Sequence, residues 1–108
     1  SKVKILDLSN QNLKNLPIQI SKYKNLKEID VGQNPNLNLE KSFDILKNNK
    51  KLETIYLQEN NLENLPLNIS EIKNLKQLLL DENNFFEIPK TIFAYLLFRL
   101  FNVGFKYL

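Results

Sequence analysis

Apolar and polar positions alternate in short windows that recur along the chain. Val3 opens the first, followed by Leu6 and Leu8. Leu26 opens the second (Ile29, Val31), Leu52 the third (Ile55, Leu57), Leu75 the fourth (Leu78, Leu80) and Phe98 a partial fifth (Phe101, Val103). The openings are separated by 23, 26, 23 and 23 residues. Period-two alternation in windows this short predicts a strand with one buried face. A unit of this length cannot bury its apolar side chains alone, so the units must stack, each covering its neighbour. The expectation is one domain over residues 1–108, with its strands aligned in a single parallel sheet.

Each unit reads L-x-x-L-x-L-x-x-N, with Asn34, Asn60 and Asn83 in the last position, Gln11 there in the first unit and Lys106 in the fifth. The asparagine is expected to turn the chain out of the strand, its amide donating to and accepting from the backbone of stacked turns. Such a ladder stabilises only when fully paired, because a buried unpaired amide costs about 1–3 kcal/mol. Gln11 is tolerable in a unit that lacks one neighbouring turn. Downstream, L-x-x-L-P recurs as Leu13, Leu16, Pro17, as Leu62, Leu65, Pro66, and as Phe85, Ile88, Pro89. These prolines fix backbone geometry on the outer return, where no strand donor is needed. The second unit is the longer one and has Glu40 where the others place proline. There Phe43, Leu46 and Ile45 are expected to face inward from a short helix beginning after Asn38, as a local bulge before the register resumes at Leu52.

These motifs resemble the leucine-rich repeat in its 23-residue form with the Leu-Pro dipeptide, and the resemblance covers essentially the whole chain. The Asn- and Lys-rich wording of "LKNLPIQISKYKNLKEID" and "LENLPLNISEIKNLKQLLL" is most similar to bacterial members, particularly secreted or surface proteins of leptospires. The resemblance implies an α/β solenoid: a right-handed arc with a parallel β-sheet on its concave side and irregular or short-helical segments on its convex side. It implies a non-catalytic protein-recognition module, secreted or at the cell surface and engaging host proteins. An intracellular signalling scaffold in the cytoplasm, or a structural arm of a larger protein, is the alternative.

Composition removes several other classes. The chain has no cysteine and no histidine, so zinc or copper would have carboxylates alone, which they rarely accept. No cofactor is expected. Catalysis by one of the serines would lack a histidine base, and Gly32 and Gly104 make no phosphate-cradling loop. Paired carboxylates such as Asp30 and Glu59 would need a deep pocket for acid–base work, which a shallow arc does not offer. The net charge of +3 is modest, and the basic run "KNNKK" lacks interleaved aromatics, so a nucleic-acid partner is not expected. Residues 92–108 are apolar but are broken by Arg99, Asn102 and Lys106, too short and interrupted to span a bilayer. No signal peptide is visible. Because solenoid ends normally carry a polar cover, the chain is expected to belong to a longer array or to cover its ends by association.

Two surfaces stand out. Among the outward strand and turn positions of the first four units, Asp7, Glu28, Asp30, Glu59, Asp81 and Glu82 are acidic and none is basic. With Tyr56, Gln58 and Leu79 they predict a concave binding face for a protein partner that is itself basic. The competing reading is that unused solvent-facing positions happen to be acidic. A calcium site lacks its D-x-D-x-D-G loop. At the other end, Phe93, Leu96, Leu97 and Leu100 replace Ser70, Lys73, Asn74 and Gln77 of the preceding unit, and Phe105 replaces Glu82. These extra apolar residues predict homo-oligomer formation through the C-terminal end, with a locally folded cap as the alternative. The tripeptide "NIS" at 68–70 is a formal glycosylation site.

Overall fold

In a computed structural model, residues 2–87 and 90 are described, together with the backbone of residues 104–106. Five three-residue strands form one sheet: β1 (Ile5–Asp7), β2 (Glu28–Asp30), β3 (Thr54–Tyr56), β4 (Gln77–Leu79) and β5 (Gly104–Lys106). They are parallel and lie in sequence order, each hydrogen-bonded to the next. Leu6, Ile29, Ile55 and Leu78 stand level with one another. Sequence order without strand exchange is what stacked units produce, since each strand has only its neighbours to pair with.

The core runs beneath this row. Ile29, Val31, Ile55, Leu57, Leu78 and Leu80 are almost completely shielded from solvent. Leu26, Leu52 and Leu75, which enter each strand, lie beside them, and the return segments contribute Leu16, Ile20, Leu65, Ile69 and Ile72. Full burial of such a side chain stabilises by about 1.5–3 kcal/mol. Val3, Leu6, Leu8 and Leu13 of the first unit are only partly buried, because β1 is the sheet edge among the described residues.

The returns differ as the sequence differs. After Pro17 and Pro66 the chain makes short 3-10 helices, Ile18–Lys22 and Leu67–Glu71. The second unit instead forms α1 (Leu39–Leu46), whose N-terminus is capped by the Asn38 side chain accepting from the Lys41 N–H at 3.0 Å. Leu39, Ser42, Phe43 and Leu46 are buried from this helix and Ile45 is half-buried.

β5 departs from the expected register. A fifth unit beginning at Phe98 would set residues 100–102 beside β4, whereas the strand pairs Gln77 with Gly104, Leu78 with Phe105 and Leu79 with Lys106. A four-residue shift preserves period-two parity, so the nearly continuous apolar wording of this stretch fits either register. Phe105 therefore stands level with the core position Leu78, not with Glu82.

Candidate protein-recognition face

On the sheet side opposite the core, the structure brings Asp7, Glu28, Asp30, Tyr56, Gln58, Glu59, Leu79, Asp81 and Glu82 together. Strand alternation places them there: Asp7, Asp30, Tyr56 and Leu79 form one row across β1 to β4, beside the buried row of Leu6, Ile29, Ile55 and Leu78. Tyr56, Gln58, Glu59, Leu79, Asp81 and Glu82 line an open depression of about 200 Å³ between the third and fourth units.

Hydrogen bonds fix much of this face. The Tyr56 hydroxyl donates to Glu28 Oε1 at 3.1 Å. Asp30 Oδ1 accepts from the Gly32 N–H at 2.9 Å and from Gln58 Nε2 at 3.3 Å, and Gln33 Nε2 donates to Glu59 Oε2 at 2.6 Å. Gly32 makes this packing possible, because a Cβ there would lie 2.6 Å from Gln58 Cδ. In the first unit Asp7 Oδ1 accepts from Ser9, at 2.7 Å from the hydroxyl and 3.0 Å from the N–H. These two bonds hold the Asp7 carboxyl below its usual range.

The carboxylates crowd one another. Glu82 is raised above the ordinary glutamate value, first by its hydrogen bond with Glu59, then by repulsion from Glu59, with burial and Asp81 adding less. Tyr56 is also raised, mainly because its hydroxyl donates to Glu28. The ion pairs among the described residues are Lys47 with Asp44 and Glu71, and Lys76 with Glu53. None involves a carboxylate of this face. Asp81 Oδ1 and Gln58 Oε1 are buried and accept no hydrogen bond from the described residues.

The rim of the face is built from an uncommon backbone conformation. Asn10, Gln33, Glu59 and Glu82, the eighth residues of four successive units, all have φ between 55° and 58°. The chain thus turns out of each strand at the residue before the ladder position, whereas the sequence reading gave that turn to the asparagine. No glycine marks these positions, so propensity alone does not reveal them. The asparagines themselves form the ladder beneath. Asn34 Oδ1 accepts from the N–H groups of Gln11 (3.2 Å) and Leu13 (3.0 Å), Asn60 Oδ1 from Asn34 (2.6 Å), and Asn83 Oδ1 from Asn60 (2.8 Å) and Leu62 (3.0 Å). Their amide groups donate back to Leu8, Val31 and Leu57 carbonyls of the preceding units. Each side chain serves the unit before it, and Gln11 is itself exposed.

Two further asparagines escaped the sequence reading. Asn49 is buried at the position that Tyr23 and Ile72 fill in neighbouring units, and its Nδ2 donates to the Ile20 and Tyr23 carbonyls at 2.9 and 3.1 Å. Asn68 Nδ2 donates to the Glu40 carbonyl at 2.8 Å and to Asp44 Oδ1 at 3.2 Å, holding the third unit against α1. Of the residues expected to mediate self-association, Phe93, Leu96, Leu97 and Leu100 lie outside the described residues, as does the side chain of Phe105. Among the described residues no group of three or more acidic side chains is arranged to hold a metal, and no helix is long and apolar enough to cross a membrane.

A solved leucine-rich-repeat protein of Leptospira interrogans matches the chain with a TM-score of 0.57 and 30% identity, over 98% of this chain. The fold is leucine-rich-repeat-like. The chain spans 32% of the length of that leptospiral chain. No family model matches the sequence, and no curated protein does. A leucine-rich-repeat-like sheet with an unpaired polar face fits a protein-interaction module of the non-enzymatic, repeat type.

Proposed function

We propose that this leucine-rich-repeat-like chain recognises a basic segment of a partner protein on the acidic side of its sheet, the concave face of a right-handed solenoid. The observation that carries this reading is the crowding of Glu59, Asp81 and Glu82 around an open depression, with none of them held in an ion pair among the described residues. A lysine or arginine side chain entering there relieves the repulsion between Glu59 and Glu82 and supplies donors to Asp81. Its aliphatic stem packs on Tyr56 and Leu79. The surrounding carboxylates raise the association rate and exclude acidic competitors, while the buried stem and the aromatic ring supply affinity.

The test is calorimetric titration with a peptide alternating lysine and leucine, and with its glutamate counterpart. Binding of the basic peptide alone, lost in a folded Glu59→Lys/Glu82→Lys variant, supports recognition by this face. Equal binding to the variant, or none to the parent chain, contradicts it and favours a passive structural arm.

A further inference from the structure

The repeat segregates charge along the strand direction. In the segments entering the strands, Lys4, Lys27, Glu53 and Lys76 form one column, joined by backbone hydrogen bonds from Lys27 N to the Lys4 carbonyl (2.8 Å), Glu53 N to Lys27 (2.9 Å) and Lys76 N to Glu53 (2.7 Å). Beside it stand Lys24, Lys50 and Lys73, at one repeat position of three successive units, with Lys51 donating across to Asn25 Oδ1 at 3.0 Å. All these lysines are exposed. Lys76 pairs with Glu53, but no ion pair among the described residues holds Lys4, Lys24, Lys27, Lys50, Lys51 or Lys73. The far ends of the same strands and the turns that follow carry Asp7, Asp30, Glu59, Asp81 and Glu82. A three-residue strand separates the two edges by about 10 Å, comparable with the screening length of about 8 Å at physiological salt, so the fields stay distinct.

We infer that the lysine edge of this molecule docks on the carboxylate edge of a second copy of the same chain. Charge complementarity selects the occupant, and spacing supports it. Both edges inherit the separation of about 4.8 Å between neighbouring parallel strands, so a copy displaced along the strand direction brings its lysines near the carboxylates of successive units, Asp7 and Asp30 at the strand ends and Glu59, Asp81 and Glu82 in the turns beyond. Such a contact is heterologous: each docked pair keeps one free edge of each sign, and assembly continues without closing. The inference does not rest on the recognition reading above, although both use Glu59 and Glu82, so a basic partner and a second copy compete for that edge.

The test is solution mass by sedimentation over a wide concentration range, at about 20 mM and about 500 mM sodium chloride. Mass that climbs with concentration at low salt, with an apparent dissociation constant weakened at least about tenfold at high salt, is the expected result. Two variants sharpen it. Lys27→Glu/Lys50→Glu/Lys73→Glu and Glu59→Lys/Glu82→Lys should each be monomeric alone, and should co-assemble in alternation, at equal stoichiometry, when mixed. A parent chain that stays monomeric at low salt overturns the inference, as does assembly indifferent to salt or a mixture that stays monomeric while the parent assembles. The lysine–leucine peptide titration is read separately, so either proposal can fail without the other.

Discussion

Asn60 lends its side-chain oxygen to the backbone N–H of Asn34, 2.6 Å away in the preceding unit. The relationship repeats with the same polarity, since Asn83 serves Asn60 and Asn34 serves Gln11. The ladder thus ties the turns of the first three units to the next unit along the stack. Removing one amide leaves several buried groups unpaired at once, which makes the ladder cooperative and the rim rigid.

Asn34→Ala should therefore destabilise the chain by about 3 kcal/mol, because it orphans the N–H groups of Gln11 and Leu13. Gln11→Ala removes an exposed side chain and should change stability by less than about 0.5 kcal/mol. Urea unfolding of both variants, in parallel with the parent, measures the contrast.

The acid limb of the stability curve should separate two carboxyl groups. Asp7 is lowered in the folded chain by its bonds from Ser9, so its contribution is complete above the unfolded value of 3.8 and is lost as pH falls through the lower folded value. Ser9→Ala should reduce stability at pH 7 and have no effect once Asp7 is protonated. Glu82 behaves in the opposite sense. Its folded value lies above 4.5, so its repulsion with Glu59 opposes folding at neutral pH and is relieved as pH falls through the raised value toward 4.5. Glu82→Gln should stabilise at pH 7, with the gain shrinking to nothing in acid. Thermal melting at a series of pH values reads both trends.

Asn68 is bonded to the wall of its own fold. Its amide bridges to the Glu40 carbonyl and the Asp44 carboxylate, so Asn68 serves as a bracket between the 3-10 helix Leu67–Glu71 and α1. Asn68→Ala should cost about 1–2 kcal/mol and lower hydrogen-exchange protection across Leu39–Leu46 more than across β3.

The parts legible in the sequence are those governed by period. Alternation located β1 to β4, the leucines at strand entry marked the core, and the Asn38–Leu46 segment announced a helix that buries Phe43 and Leu46. Where period stops discriminating, the reading drifts. The apolar residues near the C-terminus satisfy two registers of equal parity, and β5 takes the later one. Asn49 stands where an apolar residue would serve, and only the nearness of the Ile20 and Tyr23 carbonyls explains its amide. The positive φ values at Gln33, Glu59 and Glu82 carry no residue signature at all, because packing of the adjoining strands and ladder overrides local preference there. Position on the outward face was legible from alternation, but the contact between Glu59 and Glu82 depends on side-chain reach and on that turn geometry.

That turn geometry is itself testable. Replacing Gln33 with glycine removes the Cβ from a left-handed position and should stabilise by about 0.5–1 kcal/mol, offset in part by loss of the exposed bond to Glu59. Denaturant midpoints for Gln33→Gly and for the control Gln19→Gly, whose residue has no positive φ, separate strain relief from the general cost of glycine.

Amide chemical-shift mapping during titration with the lysine–leucine peptide tests the central claim most directly. Recognition by the acidic face predicts saturable shifts concentrated at Tyr56, Gln58, Glu59, Leu79, Asp81 and Glu82, with α1 and the return segments unmoved. Saturable shifts centred on those returns, with the sheet face silent, would contradict it.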